Sequence, residues 1–221
     1  MSYINIFITV YAALFPVVNP LGCAPIFLTY MQGSSRQTQS MVAGRVALYG
    51  FVLLLGSLLF GAKVLLFFGV TLPVLRIAGG MVVATVGWRL LFQTAAAADD
   101  KASTPPMSQG EAESMAFFPI TLPLTVGPGA IATTIALAAG HASVLEADPF
   151  TVTLDVAAAI AALAATCLTV FFCYREAALL QRMLGPNGTN VLVRLFAFIV
   201  LSIGIQIVWL GARGLLAELG H

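Results

Sequence analysis

Asn19, Thr121 and Thr125 are polar side chains set among prolines and glycines inside long apolar stretches. The first run reads Asn19-Pro20-Leu21-Gly22-Cys23-Ala24-Pro25. The second reads Thr121-Leu122-Pro123-Leu124-Thr125-Val126-Gly127-Pro128-Gly129. Proline inside a helix removes a hydrogen bond and clashes with the turn before it. In a bilayer the freed carbonyls must find partners, or line a cavity where water or a solute supplies them. The Asn19 amide offers a donor and an acceptor, and Gly22 permits close approach. The amides of Gly127, Gly129 and Ala130 would open a half-helix at its positive end. This chemistry is recognition rather than bond breaking, polar without charge, and it suits a small neutral or zwitterionic solute. The candidate substrate-binding set is Asn19, Pro20, Gly22, Pro25, Thr121, Pro123, Thr125, Gly127, Pro128 and Gly129. The competing role for Asn19 is to satisfy the broken backbone and nothing more. The Gly-Pro-Gly turn could equally be a hinge without ligand contact.

The two runs are one pattern written twice. Sliding Phe15–Pro25 along the chain brings position 16 to 119, 20 to 123 and 25 to 128, and all three prolines coincide. Phe15 falls on Phe118 and Leu21 on Leu124. Membrane segments broken at corresponding places in two halves of a chain are the best sequence pointer to a transporter binding site.

The elements that must position these residues are membrane spans. The chain is 60% hydrophobic and 9% charged, with mean hydropathy +0.99, whereas globular proteins carry roughly 25% charge. A soluble fold of 221 residues could not hide this much apolar surface, so the expected partner is the lipid bilayer. A net charge of +1 with scattered basic residues gives no signal for nucleic acid. Six apolar segments are long enough to cross: 3–30, 44–67, 73–93, 115–140, 151–174 and 192–214. The first would be about 42 Å long as a straight helix, more than a bilayer core, so it is expected to be broken or partly unwound. No Lys or Arg precedes it, and it reads as a retained span rather than a cleaved signal.

Three spans per repeat is an odd number, so the second copy enters from the opposite side. The expected fold is an all-α membrane protein: six transmembrane helices as two inverted three-helix repeats with proline-broken first helices. The repeats are 1–93 and 115–221, joined by a polar cytoplasmic linker at 94–114. Arg76-Ile77-Ala78-Gly79-Gly80 and Arg194-Leu195-Phe196-Ala197-Phe198 give a fainter echo between the third and sixth spans. With the N-terminus outside, the inner loops and flanks hold Arg36, Arg45, Arg89, Lys101, Arg175, Arg182 and Arg194. The outer side holds Lys63, Arg76 and Arg213. The positive-inside bias therefore places both termini in the periplasm of a Gram-negative cell.

No cofactor is expected. Cys23, Cys167 and Cys173 form no CxxC pair and read as structural thiols, with only His141 and His221 to assist a metal site. No catalytic residues are nominated, because the chain has no HExxH, GxSxG or P-loop. His141, Ser143, Glu146 and Asp148 share one outer loop and read as a solvated connection. Asp155, Arg45, Lys63, Arg76 and Arg89 sit near span ends and read as interface anchors. Gln206, in the middle of the last span, could hydrogen-bond another helix.

At Asn19-Pro20-Leu21-Gly22 with Pro25-Ile26-Phe27, at Leu75-Arg76-Ile77-Ala78-Gly79-Gly80, and at Pro119 through Pro123-Leu124 with Gly127-Pro128-Gly129-Ala130-Ile131, the chain resembles the MarC family of bacterial inner-membrane proteins. The resemblance covers almost the whole chain, excepting 94–114 and 140–150. It implies a six-span inner-membrane protein, classed with neutral amino acid transporters and related to LysE-type exporters. The function expected on both grounds is secondary transport or export of small neutral polar solutes such as amino acids. The alternative is a non-transporting membrane component that packs with or assists a partner. A polar cavity reached by both broken segments would favour the first, and a dry, packed midplane the second.

Overall fold

The computed structural model describes residues 3–92, 109–141 and 149–219. Eight α-helices account for nearly all of them: α1 (Tyr3–Val18), α2 (Pro20–Tyr30), α3 (Arg36–Phe67), α4 (Leu72–Phe92), α5 (Gln109–Met115), α6 (Pro128–His141), α7 (Pro149–Arg175) and α8 (Ala177–Leu219). An irregular, wide-turned segment, Ala116–Thr125, joins α5 to α6. The described residues contain no strand.

Five helical stretches are long and apolar enough to span a bilayer, with α1 and α2 counted together as Tyr3–Tyr30. A sixth follows if the pair Gly110–Thr125 and Pro128–Ala139, bent by 63°, is one span. The helices are apolar around their whole circumference, as expected of helices within a membrane. Their inner faces meet in a core that includes Leu14, Phe27, Val46, Leu54, Leu163 and Tyr174. Their outer faces leave Phe60, Trp88, Leu168, Phe198 and Trp209 more than half exposed. A water-soluble monomer does not carry so continuous an apolar surface.

The tightest pairing joins α4 to α8. A Cβ built on Gly80 would lie 2.7 Å from the Val208 amide nitrogen, and one on Gly211 would lie 2.7 Å from the Pro73 carbonyl oxygen. Farther along the seam, toward the C-terminal end of α4, Gly204 meets Ala84 and Gly87 meets Leu201. Small residues at such a seam let two backbones touch, which is how helices gain dispersion contact in lipid, where apolar burial gives no advantage.

Several boundaries differ from expectation. The helix of the expected second span, α3, begins at Arg36, capped by the Ser35 hydroxyl on the Thr38 amide, so it extends well beyond its apolar core. The polar stretch read as a linker through residue 114 turns helical at Gln109, and Ala112 is fully buried. The rest of that stretch, 94–108, lies outside the described residues, as do Ser143, Glu146 and Asp148. In α8, Gly185 (φ 65°, ψ 176°) separates a short leading segment from the apolar helix that follows.

Candidate functional site

The first break is one residue wide. Asn19 adopts a left-handed conformation, φ 51° and ψ 56°, between α1 and α2. Pro20 opens α2 because a first-turn proline has no intrahelical partner to lose. The hydrogen-bond ladder passes through the break: the Asn19 amide donates to Phe15 O at 2.9 Å, and the Cys23 amide donates to Asn19 O at 3.0 Å. The span is thus broken, as expected, and is not unwound. The Asn19 side-chain oxygen caps α2 by accepting from the Gly22 amide at 3.1 Å, and any side chain at Gly22 would collide with that amide group. Asn19 is only 3% exposed, and its Nδ2 has no partner.

The second break is ten residues wide. Phe118 (φ −127°, ψ 125°) and Leu122 (φ −109°, ψ 124°) are extended, as residues before proline tend to be. Both following X–Pro bonds, to Pro119 and Pro123, are cis. Two hydroxyls bond back to the backbone of this segment. Thr121 Oγ1 donates to Ala116 O at 2.6 Å, and Thr125 Oγ1 donates to Ile120 O at 2.7 Å. Tyr174, fully buried in α7, places its hydroxyl 2.8 Å from Thr125 Oγ1 and stacks on Phe27 of α2 at 4.6 Å between ring centroids. Cys23 completes the contact between the breaks, with Sγ 3.7 Å from Leu124 O.

The candidate residues thus fall into three groups. Asn19, Pro20, Gly22, Thr121, Thr125 and Gly129 are buried; Pro25 and Gly127 are half-buried; Pro123 and Pro128 are exposed. Gly129 lets α6 lie against Val83 of α4. The hydroxyls of Thr121 and Thr125 are engaged by the protein itself. Thr134 likewise donates to Ala130 O at 2.8 Å, whereas its neighbour Thr133 has a buried Oγ1 with no partner.

Thr133 faces a cavity of about 320 Å³. Its wall comes from α1 (Pro16 and Val17 among others), α4 (Arg76), α6 (Thr133 and its neighbours) and α8 (Ile207 and Leu210 among others). The cavity lining includes Val17, two residues before Asn19, and Ala132, three residues after Gly129, while none of the ten candidates lines it. Small-molecule sites occupy roughly 300–1,000 Å³, so this one would take a small solute. Arg76, expected to anchor at an interface, is also the one charged residue on this wall among the described residues. Sequence reasoning missed Tyr174 and this placement of Arg76. An intramembrane charge is a functional suspect by default, and that signal was present for Arg76. Nothing in the sequence marks Tyr174.

Other polar groups are spent elsewhere. Arg45 pairs with Glu113 at 3.0 Å and Arg36 with Glu176 at 2.8 Å. Gln206 is exposed on α8. Among the described residues no three or more His, Cys, Asp or Glu side chains converge to hold a metal.

A bundle of long, circumferentially apolar helices with two interrupted members defines an integral membrane protein with several spans. The chain belongs to the MarC family: the model of the MarC family integral membrane proteins matches residues 4–216. It is similar to the membrane protein YvbG of Bacillus subtilis, 27% identical over 206 residues that cover 93% of each chain. It is also similar to the inner membrane protein MarC of Escherichia coli O157:H7, at 29% identity over 88% of each chain, and to that of Salmonella arizonae, at 31% over the same share. No solved structure matches it.

Proposed function

We propose that this protein is a secondary transporter of small neutral polar solutes, amino acids foremost, in the bacterial inner membrane. The observation that carries the reading is the cavity walled by α1, α4, α6 and α8, with Arg76 and Thr133 in its lining. Two polar atoms, Thr133 Oγ1 on that lining residue and Asn19 Nδ2 at the first break, are buried without a protein partner. Buried polar groups are normally paired, so these two are the ones left for a solute or water.

In this reading the bent pair forms a sixth span, and the chain comprises two inverted three-helix repeats. The repeated proline string and the pairing of α4 with α8, the third span of each half, support it. With both termini in the periplasm, the Arg36–Glu176 and Arg45–Glu113 pairs fall on the cytoplasmic side. Alternating access then arises as one repeat rocks on the other. The second reading, a non-transporting membrane component, is favoured by the engagement of Thr121 and Thr125 with their own backbone, which gives the second break a purely structural role.

Reconstitution decides between them. Proteoliposomes carrying the purified chain should accumulate or release labelled neutral amino acids, and Asn19→Gly should reduce the flux at least severalfold while the protein still folds. If no solute of a broad panel moves, the transport reading fails.

A further inference from the structure

We infer that the cavity between α1, α4, α6 and α8 is a carboxylate-binding site, with Arg76 as the charged partner and Thr133 as a second donor. The inference rests on the transport reading only for its consequence, that the solute carries a carboxylate, and it holds for binding without it.

Three observations bear on it independently. Arg76 lies inside an apolar helix, Leu72–Phe92, and lines the cavity half-buried. Among the described residues it has no ion-pair partner, although Arg36, Arg45 and Arg175 each reach a glutamate. A guanidinium held in such surroundings costs free energy unless an anion joins it, and its planar fork matches the two oxygens of a carboxylate. Second, Thr133 lines the same cavity, and its hydroxyl is buried and unpaired, free to turn toward a ligand. Other helical threonines, including Thr85, Thr134, Thr166, Thr169 and Thr189, donate to the carbonyl four residues before. Third, the remaining wall is apolar, with alanine, isoleucine, leucine, valine and proline side chains. No carboxylate lines it, so nothing there would repel an anion or attract a free cation. The volume accommodates a small molecule with one charged end and an apolar body. This adds a charged anchor to the uncharged site expected from the breaks alone.

The test uses the full-length protein purified in detergent, with L-alanine, L-leucine, their amides and propionate as probes of ligand-induced thermal stabilisation. The two amino acids and propionate should stabilise the wild type, and the amides should not. Arg76→Gln should weaken carboxylate binding about tenfold or more, Arg76→Lys should retain part of it, and Thr133→Val should weaken it roughly fivefold. Unliganded melting and gel-filtration elution establish that each variant is folded. Should Arg76→Gln fail to fold, Arg76→Lys and Thr133→Val carry the test.

Uptake of the same labelled amino acids by proteoliposomes separates this inference from the transport reading. Carboxylate binding that depends on Arg76, without flux in the wild type, upholds the site and removes the transporter. Flux that Arg76→Gln leaves unchanged, or equal stabilisation by acids and amides, removes the carboxylate site and leaves the transporter. Absence of stabilisation by every probe also overturns the site. If Arg76→Gln alters only a response to added phosphatidylglycerol, the cavity takes a lipid headgroup, and the solute carboxylate is overturned.

Discussion

The break at Asn19 and the break at Phe118–Gly127 begin from the same proline spacing and end in different structures. At Asn19 a single left-handed residue interrupts the chain, and the hydrogen-bond ladder continues through it. At the second break two extended residues and two cis prolines open the helix over ten positions. At the second proline of each copy the difference follows from the residue before it. Asn19 tolerates the left-handed region because its short polar side chain bonds locally, and the amide caps the next helix. Leu122, in the equivalent place, has no such option, and the chain runs extended there. At the first proline the preceding residue is phenylalanine in both copies, yet Phe15 is helical and Phe118 extended, so that half of the difference is set by the surroundings, where threonine hydroxyls donate to the backbone. One break leaves an unpaired amide donor in the interior, and the other spends its hydroxyls.

The largest effect that could break this comparison is predicted for the double substitution Thr121→Val with Thr125→Val. It removes the two hydroxyl donations to Ala116 O and Ile120 O and takes Thr125 from the Tyr174 hydroxyl, at about 1–3 kcal/mol for each buried group left without a partner. Loss of monodisperse protein, or a melting temperature far below that of the wild type, is the expected result. A double that melts like the wild type would show that the hydroxyls do not hold the second break.

Asn19→Ala comes next, with a loss of about 1–2 kcal/mol from the left-handed backbone and the missing cap. Asn19→Gly should cost only a few tenths, because glycine keeps the backbone and gives up only the amide. Equal melting of the two would refute the local account of the first break. The Thr125–Tyr174 contact sharpens the comparison further. A cycle of Thr125→Val, Tyr174→Phe and the double should yield a coupling near the interhelical values of about 0.6–1.7 kcal/mol measured in membranes. The smallest effect belongs to Arg36→Ala, below about 1 kcal/mol, since Arg36 and Glu176 pair in solvent.

The positions of the breaks were legible because proline and glycine act locally, whatever surrounds them. Span lengths were legible for the same reason that bilayer thickness is uniform. The width of each break was not, since equivalent places in the repeat, Phe15 with Phe118 and Asn19 with Leu122, take different backbone conformations. The cavity was least legible. Periodicity cannot say which faces of α1, α4, α6 and α8 meet, and none of the ten polar and flexible candidates lines the cavity, whose wall is formed by residues such as Pro16, Val17 and Thr133. Arg76 read as an anchor because its distance from the helix end permits snorkelling. Its place on the cavity wall depends on α8 crossing α4 at the glycine seam.

That seam has a mechanical consequence. Backbones in contact at Gly80, Gly87, Gly204 and Gly211 leave no room for a Cβ between α4 and α8, and the same closeness extends to α6, where Gly79 meets Ala132 and Gly129 meets Val83. Three of the four walls of the cavity are therefore bolted to one another. The fourth, α1, ends at the single left-handed residue Asn19. A change in the volume between them would be taken up at that pivot, and a solute held there would feel the other three walls as its fixed reference.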